Sequence, residues 1–253
     1  MLQKYVSTAI IALAAAGLAC NFPRATTTPP GLPTPTLMPE IAMPTATFME
    51  ATATPLIVEA PTSTPTPEPL VPGELLYETD MRLGWEPIDE AYGTGSKNDR
   101  GYQLSVEFDQ PWAIWAYTTK IRESDLFVEI TATPDECPAG QGAYGVIFHF
   151  VSNAQFRFFV IACGGGFTLF ERNGIDNATN LVSGTLPPGT NAAQGEHKIG
   201  VRVQAYTISL YFDGVELGRV EVADTPPGDV GPYVQTNSGR MAATFSHLAV
   251  FRP

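Results

Sequence analysis

The spacing of proline between residues 21 and 72 constrains this chain more than any other feature. That stretch holds 13 of the 23 prolines together with 12 threonines, in runs such as ATTTPPGLPTPT and PTSTPTPEP, and its only aromatics are Phe22 and Phe48. Proline removes a backbone donor and clashes with the preceding helical turn, so the segment suits neither a helix nor a sheet ladder. With so few large apolar side chains it cannot offset the entropy of ordering. A disordered Pro/Thr-rich stalk is therefore expected over residues 20–72, with a reach on the order of 160 Å if stiffly extended as polyproline II. Its threonines are also potential sites for sugar, as in mucin-like stalks. Any core must come from residues 73–253, which suffice for one domain.

Residues 1–19 read as an export signal. Lys4 supplies a short charged region, and Tyr5 to Leu18 is uncharged and interrupted only by Ser7 and Thr8. A permanent span needs about 20 apolar residues, so a removable signal peptide is preferred to a transmembrane helix. Gly17-Leu18-Ala19-Cys20 resembles a bacterial lipoprotein cleavage box, although Gly17 stands where such boxes usually carry leucine. The resemblance implies a mature chain that starts at a lipidated Cys20, the membrane being its partner through that anchor. The expected location is the bacterial cell envelope, extracytoplasmic. The alternative is an ordinary secretory signal with Cys20 incidental, and either route takes the domain out of the cytoplasm.

Charge and cysteines narrow the classes further. Residues 73–253 carry 12 Lys/Arg against 22 Asp/Glu, a net charge of about −10, which argues against nucleic acid as a partner. Beyond Cys20 only Cys137 and Cys163 remain. In an oxidising compartment two such cysteines most simply form a disulfide. A metal pair or a reactive thiol would want histidines close by, and His149, His197 and His247 do not stand at zinc-ligand spacing from a second ligand.

The rest of the chain alternates with period two between Gly, Pro, Asn and Asp, the pattern of a sheet protein. Leu126, Val128 and Ile130 share one face of DLFVEITAT, with Phe127, Glu129 and Thr131 on the other. Strands are further expected over 144–151, 156–162, 167–172, 197–204, 207–212, 215–222 and 243–251. Asp213-Gly214 tolerates the positive φ of a type I′ turn and joins two of them as a hairpin. These short strands must hide their edges and inner faces, so an all-β, antiparallel two-sheet sandwich is expected. Antiparallel pairing of 144–151 with 156–162 would bring Cys163 back to the rim that carries Cys137.

The order LLYETDMRLGW with Trp85, GYQLSVE, DLFVEITATP, YGVIFHFVSNAQFRFFVIACGGGFTLFER, VRVQAYTISLYFDGVELGRVEV, GDVGPYVQT and ATFSHLAVF resembles the concanavalin A-like lectin/glucanase sandwich, a jelly roll. Within that class the likeness is to laminin-G-like and 3-keto-disaccharide hydrolase-like domains. It spans nearly all of the domain and implies either carbohydrate binding or glycan hydrolysis. Glucanases of the class carry closely spaced carboxylates on one strand. Here Glu123, Asp125 and Glu129 share a parity, but Asp125 and Glu129 would lie roughly 13 Å apart along a strand. Retaining hydrolysis needs about 5–5.5 Å, so no catalytic residue is assigned from sequence. Binding is the preferred reading: a non-catalytic surface lipoprotein displaying its domain to a glycan or another surface polymer, with a glycan-active hydrolase as the alternative. Candidate ligand-binding residues are Trp112, Trp115, Tyr117, Phe159 and Tyr211 as outward aromatics, with His149 and Arg157 on a wet sheet face. Trp85 is expected in the core. No cofactor is expected; Ca²⁺ at Asp176, Asp224 or Asp229 is the alternative.

Overall fold

The computed structural model describes residues 72–175 and 178–253. The expectations for the signal peptide, Cys20, nearly all of the stalk, and Asp176 concern residues outside that range. Every regular element described is a strand, and every pairing is antiparallel.

Two sheets form the sandwich. The nine-stranded sheet runs β14 (Val215–Glu221), β13 (Thr207–Phe212), β12 (His197–Gln204), β7 (Leu126–Glu136), β16 (Gly239–Phe251), β4 (Gly101–Phe108), β3 (Gly93–Asn98) and β2 (Ile88–Glu90), and β1 (Leu75–Thr79) also pairs with β16. The seven-stranded sheet runs β11 (Ala178–Thr185), β10 (Gly166–Asn173), β9 (Gln155–Ala162), β8 (Gly142–Ser152), β15 (Gly228–Thr236) and β5 (Trp112–Trp115), with β6 (Thr118–Glu123) also on β15. Consecutive strands β15 and β16 lie in different sheets, so the chain crosses between layers as a jelly roll does.

Alternation sets the layers. Leu126, Val128 and Ile130 from β7 join Val201, Leu210 and Leu248 in the main core, which they share with Phe148, Phe159 and Ile161 of the opposite sheet. Trp85 is 3% exposed and packs on Tyr102 at 5.7 Å between ring centroids. Buried hydroxyls find carbonyls: Tyr102 donates to Glu86 O at 2.6 Å, and Tyr144 donates to Ala192 O at 2.8 Å. Burial pushes the Tyr102 hydroxyl up to about 12 and Tyr144 well above its ordinary value. Both therefore stay protonated donors.

The turn expected between β13 and β14 is present. Asp213 (φ 48) and Gly214 (φ 78) both occupy the left-handed region that a type I′ hairpin requires. The Asp213 side chain also closes the turn, accepting from Lys198 N at 2.8 Å and lying 2.9 Å from His197 Nδ1. Cys137 and Cys163 form the disulfide, with Cα atoms 5.3 Å apart. Because Cys137 follows β7 and Cys163 follows β9, the bond ties one sheet to the other.

Candidate functional site

The densest chemistry lies on the outer face of the seven-stranded sheet. Along β9, Phe156, Phe158 and Val160 point outward while Phe159 and Ile161 enter the main core. Trp115 from β5, Phe170 from β10 and Tyr233 from β15 extend the outward set. The rings tile: Phe158 stacks on Phe170 at 4.9 Å and on Tyr233 at 4.8 Å, and Trp115 lies 5.2 Å from Phe156. Phe156, Phe158 and Tyr233 are nearly buried and pack against the half-buried Trp115 and Phe170, while the exposed Trp112 is held by Tyr92 and Phe108.

These side chains wall a hollow of about 430 Å³, within the range typical of small-ligand sites. Its polar lining is Arg172, Gln235, Thr236 and Asn237, and among the described residues that line it there is no aspartate or glutamate. Arg172 sits with its guanidinium carbon 5.6 Å from the centroid of the Phe156 ring and donates from Nη2 to Ile175 O at 2.8 Å. Its Nε is buried without a hydrogen-bond partner among the described residues. Burial pushes the Tyr233 hydroxyl well above its ordinary value. It keeps its proton and donates a hydrogen bond to Gln235 Oε1 at 3.1 Å. The Gln235 amide nitrogen keeps both of its hydrogens for another acceptor.

Strand β5 forms a wall between this hollow and a second of about 600 Å³, whose lining includes Trp85, Glu86, Glu90, Trp112, Trp115, Tyr117 and Asn153. Trp112 is 40% exposed and braced edge-on by Tyr92 at 5.3 Å. Tyr117 is 46% exposed and stacks on Phe150 at 4.3 Å. Trp112, Trp115 and Tyr117, singled out from sequence, thus line this second hollow together.

The other four sequence candidates do not join them. Phe159 is fully buried in the main core, because outward parity on β9 belongs to Phe156 and Phe158. Tyr211 lies on the nine-stranded sheet, almost buried and edge-on to Phe127 at 6.1 Å. His149 and Arg157 are 1% and 3% exposed rather than on a wet face. A bulge in β8 turns His149 into the left-handed region at φ 51.

Arg157 and His149 instead belong to an ion cluster that also involves the loop after β14. His149 Nε2 lies 2.9 Å from Ser124 O, an acceptor only, so that nitrogen carries the proton and Nδ1 accepts from Arg157 Nη1 at 3.1 Å. Burial holds the imidazole down to about 4, so it is neutral near pH 7. Arg157 Nη2 donates to both Glu171 and Asp224, the latter at 2.7 Å. Two hydrogen bonds from one nitrogen bring the two acids to within about 5 Å of each other. The guanidinium bonds to both acids, and a hollow of about 170 Å³ lined by His149, Arg157, Glu171, Arg172 and Asp224 opens beside this ion cluster.

The acids considered from sequence are spent elsewhere. Glu129 accepts from Lys198 Nζ at 3.0 Å, and Asp125 accepts from Ala205 N at 3.0 Å. Neither lines the hollow. Of the calcium candidates, Asp224 is held by Arg157, while Asp229 is buried with its Oδ1 3.5 Å from Arg122 Nε, too long for a good hydrogen bond. Burial raises the Asp229 carboxyl accordingly. Among the described residues no three His, Cys, Asp or Glu side chains are grouped to hold a metal ion.

Sequence reasoning missed Phe156, Phe158, Phe170, Arg172, Tyr233 and Gln235. The available signal was FRFFVIA itself, a strand apolar on both parities. Such a run means both faces of the sheet are apolar.

No protein-family model and no curated protein matches the chain. Solved structures do match. A Bacillus subtilis protein with a galectin-like fold superposes with a TM-score of 0.55 at 14% identity, over 72% of this chain and 97% of that one. A β-1,3-1,4-glucanase (lichenase) from a mouse hindgut metagenome gives 0.52 at 12% identity, over 70% and 99%. The Bacillus licheniformis β-glucanase gives 0.51 at 13%, over 72% and 99%. At these identities the likeness speaks to architecture, and the architecture is the concanavalin A-like jelly roll.

Proposed function

We propose that this chain is a non-catalytic surface lipoprotein, anchored through Cys20 and a Pro/Thr stalk in the bacterial cell envelope, whose jelly-roll domain binds carbohydrate in the aromatic hollow. The observation that carries the binding reading is a wall of Trp112, Trp115 and Phe170 with amide and guanidinium donors and no carboxylate among the described lining residues. Flat apolar rings match the C–H faces of a sugar, and polar donors take its oxygens. Structural neighbours named as β-glucanases put glycans among the ligands this architecture handles. A glycan array probed with the full chain in detergent tests the reading: a hit that weakens in Trp115→Ala supports it, and a blank array on folded protein counts against it.

The hydrolase alternative rests on one observation, the proximity of Glu171 and Asp224 beside His149. It requires glycoside turnover that Glu171→Gln abolishes. Lipid attachment is tested separately by mass spectrometry of the native N-terminus, where an unmodified Cys20, or cleavage elsewhere, removes the anchor from the account.

A further inference from the structure

We infer that the hollow selects an anionic glycan, one bearing carboxylate or sulfate groups, and that Arg172 is the residue that reads the charge. The inference deepens the carbohydrate-binding reading and rests on it. Its first support is local charge. The domain carries about ten more acids than bases, yet the described lining of this hollow has a guanidinium and no acid. Glu171 and Asp224, which line a neighbouring hollow together with Arg172, are both paired with Arg157, and charges more than about 8 Å away are largely screened at physiological ionic strength.

The second support is the state of Arg172. Every other arginine of the seven-stranded sheet and its flanks has a carboxylate: Arg157 has Glu171 and Asp224, and Arg122 has Asp229 at 3.5 Å. Arg172 lies over the Phe156 ring, makes one bond to a backbone carbonyl, and meets no carboxylate among the described residues. Its buried Nε, like that of Arg157, has no hydrogen-bond partner among the described residues. A guanidinium within about 6 Å of a ring centroid is attracted by the ring's quadrupole, and arginine's forked N–H groups suit an oxyanion as a lysine ammonium does not. Gln235 adds an amide donor whose own acceptor is already taken by Tyr233. Donors therefore converge where an acid would otherwise repel a charged sugar.

The test is titration calorimetry of the full chain with two matched pairs, oligogalacturonate against its methyl ester and dextran sulfate against dextran. The inference expects the acidic member of at least one pair to bind about tenfold or more tightly than its neutral partner, with that advantage lost in Arg172→Gln. Which pair responds distinguishes carboxylate from sulfate. Arg172→Lys retains charge without the fork and should restore only part of the preference. Equal binding within both pairs overturns the inference while leaving glycan binding standing. An acidic preference that survives in folded Arg172→Gln also overturns it. No binding by any of the four, while the array finds another glycan, rejects the anionic class, and silence on both rejects the carbohydrate reading itself.

Discussion

On the outer face of the nine-stranded sheet, Glu129 pairs with Lys198 and Glu216 with Arg219 beside a three-ring cluster of Phe127, Tyr211 and Phe251, whereas the outer face of the seven-stranded sheet carries the larger set Trp115, Phe156, Phe158, Phe170 and Tyr233. Both sheets give their inner faces to the same core, so the core places no such demand on the second set. A solvated sheet face is ordinarily polar, with scattered apolar residues that need no explanation. A contiguous aromatic face with a hollow in it is the feature on which the proposed binding rests. The contrast is what supports placing the proposed binding on one side of the sandwich.

Neighbouring residues of β9 break the comparison most sharply. Phe159→Ala removes a fully buried ring from the shared core and should cost about 3–5 kcal/mol. Phe158→Ala, one residue away on the outward face, should cost about 1–3 kcal/mol and also weaken ligand binding. Urea unfolding of the two variants checks the order; equal costs with no binding effect would mean the outward face is structural. Next in size is the bond between the sheets. Replacing Cys137 and Cys163 by serine opens a 26-residue loop, and the chain-entropy relation puts the loss at about 3.5 kcal/mol, to be read as a lower melting temperature with the fold retained.

The alternating sheet was the legible one. The expected strands 197–204, 207–212 and 215–222 match β12, β13 and β14 to within a residue, because one apolar parity and an Asp-Gly turn specify them. Edge strands were harder. Strand β11 reads ATNLVSGT, with half-buried Leu181 and Val182 as its only large apolar residues, and short β5 and β6 are specified by their partner β15 more than by themselves. Trp112, Trp115 and Tyr117 could be singled out because three large aromatics fall within the six residues WAIWAY, and the structure places all three on one hollow. Phe158 and Phe159 could not be sorted, since a strand apolar on both parities does not say which face is closed. Arg157 was misread for a related reason: a charge inside an apolar run suggests a wet face unless its partners Glu171 and Asp224, distant in sequence, are known.

Smaller effects sharpen the picture. The folded His149 takes its proton at about 4, below the ordinary 6.5, because burial disfavours its charge. The unfolded chain therefore binds the proton first, so this residue's contribution is complete above about pH 6.5 and is lost as pH falls toward 4, by up to about 3 kcal/mol. Unfolding at pH 4.5, 5.5 and 7 should show that slope, flattened in His149→Gln; an unchanged slope would assign it to other groups. Least of all, Lys198→Ala breaks an exposed pair on the opposite sheet and should change stability by under about 1 kcal/mol, with no effect on binding.

The central claim is that ligand binding belongs to the aromatic face of the seven-stranded sheet. Calorimetry of the full chain with its best array glycan, comparing Trp115→Ala with Lys198→Ala, tests it most directly. The account predicts that Trp115→Ala weakens binding by about 1 kcal/mol or more while the fold persists and that Lys198→Ala binds as the parent does. Equal affinity in parent and Trp115→Ala, or a loss only on the Lys198 face, would contradict it.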